Sequence, residues 1–400
     1  MGLVLAGGAA RGAYEVGVVQ HLLEEVAKDL GRHIPLDVLS GTSVGAINVC
    51  GLAAFADDPR GRARRLVDQW QRLQVDDVVR PQARGLLTLG RSLFGGAVPK
   101  RGWGLLDPAG LERFVGRAIP VHRIEEHLRS GLLHAVSVST THVASGRTVV
   151  FLARAAAGEM QTWSRDTTVV PRQVRLGLRH MLASASLPFL FPAIEIEGEY
   201  YADGGLRQNV PLSPARRLGA DALVVVNPRS LDRATDRVEP QVPHPTPFLL
   251  LGKLLNAIFL ERLDADLDRL ERINAILDAG TRIHGEGFVD ELNRELGRAP
   301  GREVRPVRTL LVRASRDLTK IAGDHVRSPR FAARASGIVG KLLLRLAEGD
   351  GSRDGDLLSF LLFDGDYAQE LIELGRADAR ARHNELCQFF TDVFEGEREP

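Results

Sequence analysis

Cysteine is scarce in this sequence, and its scarcity excludes several kinds of cross-linked or metal-bound protein. Among 400 residues there are two cysteines, Cys50 and Cys387, which lie far apart in the chain. Two distant cysteines supply neither a disulfide framework nor the spacing of a cysteine-based metal site. We predict no bound metal and no cofactor, and we expect Cys50 to be a small, unpaired residue of the hydrophobic core.

The chain also lacks a net charge of either sign. Its 52 basic and 51 acidic residues leave a formal charge of +1. A general nucleic-acid-binding protein would usually carry a clear basic excess. We therefore expect no nucleic-acid partner, although local basic clusters remain compatible with the composition.

Long apolar runs are missing as well. No run approaches the roughly 20 residues that a transmembrane helix needs. The stretch Met1–Gly8 has no basic region and too short an apolar run for a signal peptide. We predict a cytoplasmic protein without a transmembrane segment, which would meet a membrane only at its surface.

The most informative stretch surrounds Ser43. The apolar run Ile34–Leu39 predicts a buried strand, and the residues after Ser43 suit a buried helix. Between them, Gly41 and Gly45 flank the serine in the Gly-x-Ser-x-Gly pattern of a nucleophile elbow. Glycine leaves room in such a sharp turn, where Cβ atoms would collide. The same five residues also suit a glycine-rich turn in which Ser43 only caps the helix.

A second glycine-rich loop, Gly7–Gly12, lies between a predicted strand at Leu3–Ala6 and a predicted helix at Ala13–Leu30. With the strand before Ser43 it completes a strand–helix–strand unit, which predicts a parallel sheet with its site at the carboxyl ends of the strands. The loop lacks the Gly-Lys-Ser/Thr of a phosphate-binding loop, and it has Ala9 where a dinucleotide fingerprint prefers glycine. Its other use is to present backbone N–H groups to an oxyanion.

A nucleophilic serine needs a neighbour that takes its proton, and either a histidine or a carboxylate can do so. Asp203 is the best carboxylate, because it ends a predicted strand immediately before two glycines, although these residues also suit a simple turn. In a histidine-dependent α/β-hydrolase the histidine follows the acid in the chain. The candidates after Asp203 are His244, His284, His325 and His383.

The segment at 84–104 is glycine-rich, basic and apolar together, which is typical either of a cap that touches membranes or of a loop packed on its own core. Arg172–Ser186 is predicted to be helical. Four prolines within 239–247 indicate a linker.

Beyond the linker the pattern predicts a mostly helical region. Phe248–Leu260 is too short to span a membrane, and it suits either a core helix or an interfacial one. Val304–Arg313 is predicted to be a strand that returns to the sheet, and Tyr367–Phe394 a closing helix.

Three motifs together resemble the patatin-like phospholipases. They are Gly7-Gly8-Ala9-Ala10-Arg11-Gly12, Gly41-Thr42-Ser43-Val44-Gly45 and Asp203-Gly204-Gly205, in the order and spacing of that family. The resemblance covers roughly residues 1–230 and extends to Ala183–Pro192, Asn209–Leu212 and Val224–Pro228. Ser359–Asp364 more loosely resembles the C-terminal part of bacterial members.

This resemblance implies an α/β fold, namely a three-layer patatin-like sandwich with a mostly parallel central sheet. It further implies a catalytic domain at 1–230, a proline-rich linker at 231–247, and a largely helical segment at 248–400 that packs on the catalytic domain.

The resemblance also implies a lipid acyl hydrolase with a Ser–Asp dyad and no catalytic histidine, in which Ser43 is the nucleophile and Asp203 the base. The implied oxyanion and motif residues are Gly7, Gly8, Ala9, Arg11, Gly12 and Val44, and the elbow and Asp-Gly-Gly glycines are Gly41, Gly45, Gly204 and Gly205. Ala9 departs from the glycine of many members, and a positive φ there would strain alanine.

The implied partner is a membrane lipid, and no oligomeric state follows from the sequence. Arg11 either orders its loop, attracts phosphate headgroups or makes a surface salt bridge. A lipid-binding or scaffolding protein that keeps the fold without catalysis is the competing hypothesis from another functional class.

Overall fold

The computed structural model describes residues 1–82, 104–155, 163, 168–230, 247–258, 263–298, 303–335, 337–348 and 355–396. Two features of the sequence lie outside these ranges. They are the glycine-rich basic segment at 84–104, except Gly104, and the linker at 231–247, except Pro247.

Within the described residues, nine strands form one mostly parallel sheet. The strands are β1 (Gly2–Leu5), β2 (Val38–Thr42), β3 (Ala135–His142), β4 (Thr148–Arg154), β5 (Val169–Gln173), β6 (Ile194–Ile196), β7 (Glu199–Asp203), β8 (Ala222–Asn227) and β9 (Arg308–Arg313). Their order is β5-β4-β3-β2-β1-β8-β9, and β7 pairs with both β3 and β6. The pairs β1–β2, β2–β3, β1–β8, β8–β9 and β4–β5 are parallel. The α/β class with a mostly parallel central sheet is thus confirmed.

Helices connect the strands and form most of the C-terminal region. In chain order they are α1 (Gly12–His21, continued by a π turn Leu22–Val26 and by Ala27–Asp29), α2 (Val44–Ala54), α3 (Gly61–Gln71), α4 (Val75–Val78), α5 (Ala109–Ala118), α6 (His122–Arg129), α7 (Leu178–Ser184), α8 (Leu212–Arg217), α9 (Pro247–Ile258), α10 (Leu263–His284), α11 (Phe288–Glu295), α12 (Leu318–Arg327), α13 (Pro329–Arg334), α14 (Gly337–Glu348), α15 (Gly355–Leu361), α16 (Gly365–Ala381) and α17 (His383–Gly396).

The sheet is covered on both faces, because successive side chains of each strand point to opposite sides. Leu3 and Leu5 of β1 belong to a large core that also includes residues of α1, α2 and α16. Val4, between them, belongs to a second core with residues of α8 and α10. Helix, sheet and helix therefore form three layers.

Part of the C-terminal region is built into this body. Strand β9 extends the sheet by parallel pairing with β8. Helix α16 lies against α1 at glycine positions: a Cβ at Gly17 would collide with the carbonyl of Ile372, and one at Gly375 with the carbonyl of Tyr14. Two helix backbones can approach this closely only where a side chain is absent. No helix in the described residues has the length and apolar character that crossing a bilayer requires.

Four sequence predictions were wrong in their limits. The strand predicted at Val304–Arg313 is confined to Arg308–Arg313, because the N–H groups of Val304 and Val307 bind the side chains of Asn293 and Asn274. The strand predicted at Ile34–Leu39 is found at Val38–Thr42. Pro35 has no N–H to pair, and the N–H groups of the next two residues turn back to the carbonyls of Ile34 and Pro35. The strand therefore starts late.

The helix predicted at Arg172–Ser186 is confined to Leu178–Ser184, because Arg172 and Gln173 pair with β4 as the end of β5. The closing helix predicted at Tyr367–Phe394 is two helices, separated at Arg382. Arg382 leaves the helical conformation, and its guanidinium pairs with Glu385 and with the carbonyl of Leu311.

Candidate active site

Ser43 occupies a strained turn between β2 and α2. Its φ is 54°, a left-handed value that non-glycine residues seldom adopt. The turn is tight: a Cβ at Gly41 would collide with the carbonyl of Gly45, and one at Gly45 with the carbonyl of Leu5. Strain of this kind persists only where surrounding packing enforces it, and it concentrates at functional sites. The geometry is that of a nucleophile elbow.

The register of strand β7 in the sheet places Asp203 beside Ser43. Strand β2 ends at Thr42, which lies opposite Ser139 of β3. Strand β7 pairs with the next residues of β3, so that Asp203 lies opposite Thr140. The two strands thus meet end to end beside β3, and residues 160 positions apart become neighbours: the Ser43 hydroxyl donates to Asp203 Oδ2 at 2.7 Å.

The second carboxylate oxygen of Asp203 is also bound. The backbone N–H of Gly205 donates to Oδ1 at 2.7 Å. Gly204 is needed between them, because a Cβ there would collide with the carbonyl of Ser139. The two glycines therefore let the chain fold back onto the carboxylate.

Burial dominates the electrostatics of this pair. Asp203 is fully buried and Ser43 is 2% exposed. Loss of hydration raises the pKa of Asp203 to about 7, against the smaller opposing effect of the hydrogen bonds from Ser43 and Gly205. A carboxylate with a pKa near neutrality is a better proton acceptor than an ordinary surface aspartate.

The glycine loop lies next to the elbow. A Cβ at Gly12 would collide with the side chain of Val44. Ala9 has a φ of 48°, so alanine does adopt the strained conformation that glycine would adopt freely. In the described part of the chain, the N–H groups of Gly8 and Ala9 have no backbone acceptor outside their own 3-10 turn. The N–H of Val44 opens α2, where amides have no partner within the helix.

Two polar residues that fix this site were not identified from the sequence. Ser184, at the end of α7, accepts a hydrogen bond from the Ser43 N–H at 2.8 Å and donates to the carbonyl of Ser139. The side-chain amide of Asn209 donates to the Gly7 carbonyl at 3.3 Å, and the backbone carbonyl of Asn209 accepts from the Gly7 N–H at 3.1 Å. Both residues lie in stretches that carry the family resemblance, and that was the only signal of their importance.

Arg11 is buried and is turned toward the C-terminal region. It is 8% exposed, and its guanidinium donates to the hydroxyl of Ser359 in α15. This contact joins the glycine loop to the C-terminal region. A surface salt bridge is excluded by the burial.

A small apolar cavity adjoins the elbow. Its volume is about 30 Å³, and its lining includes Val44, Ile47, Leu66, Trp70 and Phe363. Phe363 comes from the C-terminal region and stacks on Trp70 with ring centroids 6.4 Å apart. The lining is mostly hydrocarbon, and Asn48 and Gln69 are its polar members.

The histidines that follow Asp203 are engaged elsewhere. His284 stacks on Phe288, His325 binds Asp364 and Glu370, and His383 binds Asp29. His244 lies outside the described residues. Among the residues that the structure describes, no group of three or more His, Cys, Asp or Glu side chains is placed to share a metal ion. Cys50 is fully buried and unpaired, as predicted.

Curated relatives are lysophospholipases of much greater length. The chain is 27% identical over 241 residues to lysophospholipase nte1 of Aspergillus oryzae, covering 59% of this chain and 12% of that protein. It is 26% identical over 242 residues to lysophospholipase NTE1 of Mycosarcoma maydis, covering 59% of this chain and 10% of the relative. The match thus spans only about an eighth or less of either relative.

A solved structure and a family model were also matched. The crystal structure of VipD from Legionella pneumophila is 13% identical, covers 93% of this chain and 66% of that chain, and has a TM-score of 0.31. The model of the patatin-like phospholipase family matches residues 3–216, which is more than half of the chain. The chain therefore belongs to the patatin-like phospholipase family of lipid ester hydrolases.

Proposed function

We propose that this protein is a serine lipid acyl hydrolase that cleaves carboxylic esters of membrane lipids through an acyl-serine intermediate. Ser43 is the nucleophile and Asp203 the general base. The observation that carries this proposal is the 2.7 Å hydrogen bond from the Ser43 hydroxyl to a fully buried carboxylate. It is the contact that proton abstraction from a serine requires.

The first half of the reaction forms the acyl-serine. Asp203 takes the hydroxyl proton as Ser43 Oγ attacks the ester carbonyl carbon, and the carbonyl oxygen becomes an oxyanion. The tetrahedral intermediate collapses by breaking the bond to the alcohol portion of the lipid, which leaves with the proton held by Asp203. The acid that returns the proton is thus the base that took it.

The second half releases the fatty acid. Asp203 takes a proton from a water molecule, whose oxygen attacks the acyl carbon. Collapse of this intermediate breaks the bond to Ser43 Oγ, and the proton on Asp203 returns to that oxygen. The fatty acid leaves and the dyad regains its starting state.

Backbone amides stabilise the oxyanion in both halves. The N–H groups of Gly8, Ala9 and Val44 are the donors we assign, because they lie on the loop and the helix N-terminus that flank Ser43. The helix N-terminus adds a favourable dipole. One such donor typically contributes about 3 kcal/mol of transition-state stabilisation. The Ser43 N–H is not among them, because Ser184 accepts its hydrogen bond.

The substrate we propose is a lipid with at least one ester-linked acyl chain. The lysophospholipase names of the relatives make lysophospholipids the first choice for an assay. We further propose that 1–230 is the catalytic domain, 231–247 a linker, and 248–400 a mostly helical segment that packs on the catalytic domain and adds β9 to its sheet.

A lipid panel tests the proposal. We expect the purified protein to release free fatty acid from lysophospholipid, diacyl phospholipid or acylglycerol, with the products identified by mass spectrometry. The preferred class would define the headgroup. If no ester in the panel were hydrolysed, the lipid-binding or scaffolding hypothesis would replace this one.

Activity should depend on the ionisation of Asp203. Because burial raises its pKa to about 7, only the form present above that pH can accept the serine proton. We expect kcat/KM to rise about tenfold per pH unit below pH 7 and to level off above it, a difference of about a hundredfold between pH 5 and pH 8. The measurement is fatty-acid release from an uncharged acylglycerol, whose headgroup does not titrate. A profile with its midpoint near pH 4 would show that the base is an ordinary, solvated carboxylate.

A further inference from the structure

We propose that Ser359 and Asp356 of α15 are positioning residues for the reaction, because they hold Arg11 and thereby fix the glycine loop that carries the oxyanion donors. This inference rests on the proposed function for its kinetic consequences. Its structural consequence, a loop ordered by the C-terminal region, can be measured separately.

The contacts converge on one guanidinium. Arg11 Nε donates to Ser359 Oγ at 3.0 Å and Arg11 Nη2 donates to the same oxygen at 2.6 Å. Nη2 also donates to Thr319 Oγ1 at 3.3 Å. Ser359 is itself fixed, because its hydroxyl donates to the carbonyl of Asp356 at 2.7 Å. A planar guanidinium with several bound donors has little freedom to rotate.

Charge and packing complete the arrangement. Asp356 Oδ1 lies 3.9 Å from Arg11 Nη2 and accepts from the Thr319 hydroxyl at 3.1 Å. Lys253 of α9 balances the other oxygen of Asp356 at 3.3 Å. The guanidinium carbon of Arg11 also lies 3.9 Å from the centre of the Phe360 ring. A buried charge is tolerated only with partners of this kind.

The backbone of Arg11 belongs to the loop in question. Its N–H donates to the carbonyl of Gly8 at 3.0 Å, which closes the 3-10 turn Ala9–Arg11. Within that turn Ala9 is held at a φ of 48°, a conformation that alanine leaves when it is free to do so. The side chain of Arg11 is therefore the link through which α15 holds a strained turn in place. A partial loss of this link should misplace the Gly8 and Ala9 amides without removing them.

The test compares two serine-to-alanine variants in the full chain. For Ser359→Ala we expect kcat on the best lipid of the panel to fall about tenfold with KM nearly unchanged, because the donors act on the transition state. Ser328→Ala is the matched control. It removes a hydroxyl that caps α13 in the same region, with no contact to Arg11, and should leave kcat unchanged.

A double-mutant cycle tests whether Ser359 acts through Arg11. Arg11→Lys keeps the charge and loses the fork of donors, so its effect and that of Ser359→Ala should not add. Full additivity of the two losses in kcat would mean that Ser359 does not act through Arg11 and would overturn the proposal.

Hydrogen exchange measures how well the glycine loop is ordered, and it needs no substrate. In Ser359→Ala, peptides covering residues 6–12 should exchange at least about fivefold faster, while peptides from α10 and α11 keep their wild-type rates. Unchanged exchange in the loop overturns the proposal, whatever the activity. If the wild type hydrolysed no lipid and Ser359→Ala still showed the accelerated exchange, the proposed function would be removed and the structural link would stand.

Discussion

Replacing Ser43 with alanine is expected to abolish ester hydrolysis, with a fall in kcat of at least about 10⁴-fold. The reason is that no described side chain other than Ser43 presents an oxygen to Asp203 in the geometry of a nucleophile. The amides of the glycine loop would remain, and they leave at most a small residual rate. Fatty-acid release by equal amounts of both proteins measures the effect.

The fold of this variant should be intact. Alanine fits the turn at Ser43 no worse than serine, since both carry a Cβ at a φ of 54°. Ser145→Ala, in the exposed turn between β3 and β4, is the matched control and should keep full activity. An organophosphonate should label the wild type at Ser43 and leave Ser43→Ala unlabelled. Hydrolysis at the wild-type rate by Ser43→Ala would remove Ser43 from the mechanism.

The elbow and the Asp-Gly-Gly turn were predictable from the sequence because the local backbone geometry requires glycine at several of their positions. At Gly41, Gly45 and Gly204 a Cβ would collide with a backbone carbonyl, so that no other residue fits. Such positions restrict the sequence strongly and leave a recognisable pattern. The order of the motifs then brought Ser43 and Asp203 together as a hypothesis, although the 2.7 Å contact depends on the register of β7 against β3.

The supporting contacts were not predictable, because their partners are distant in the chain and chemically ordinary. Ser184 binds a backbone amide 141 residues away, and Ser359 binds Arg11 across 348 residues. Serines are common, and neither position shows a local pattern that separates it from other serines of the chain. The sequence left three uses open for Arg11, and the role we propose for it rests on the contact of its side chain with α15.

Errors in the limits of strands and helices have a similar cause. Residues 172 and 173 have a helical pattern locally, and their pairing with β4 overrides it. Pro35 delays β2 through a missing N–H, which is a local effect that the apolar pattern of 34–39 conceals. The periodicity of apolar residues thus predicted which strands and helices form, while contacts with partners elsewhere in the chain determine where they begin.

The burial of Asp203 should favour proton transfer and reduce the stability of the folded protein at neutral pH. Burial that raises its pKa makes it a competent base, and the same burial makes its ionised form unfavourable in the folded protein. A carboxyl whose folded pKa lies above its unfolded value contributes stability at low pH and loses it as pH rises through the folded pKa. Between about pH 4 and pH 7, ionisation of Asp203 should therefore reduce the free energy of unfolding, by up to about 4 kcal/mol.

Asp203→Asn separates these two effects and is the second variant of large expected effect. We expect kcat to fall about 10³-fold, because an amide cannot take the proton of Ser43. The residual rate should also lose its rise through pH 7. The amide keeps the size of the carboxylate, and its oxygen can still accept from the Gly205 N–H, so that the site should keep its shape.

Stability should change in the opposite direction from activity. At pH 8 the variant avoids the buried charge that the wild type carries, and its free energy of unfolding, measured by urea denaturation, should exceed that of the wild type. Near pH 4, where the wild-type carboxyl is protonated in the folded state, the difference should nearly vanish. Glu199→Gln, on the same strand but solvent-accessible, is the control and should show no comparable gain at pH 8. An Asp203→Asn variant that is less stable than the wild type at pH 8 would mean that the carboxylate is well stabilised by its surroundings, and the near-neutral base on which proton transfer from Ser43 depends would then be lost.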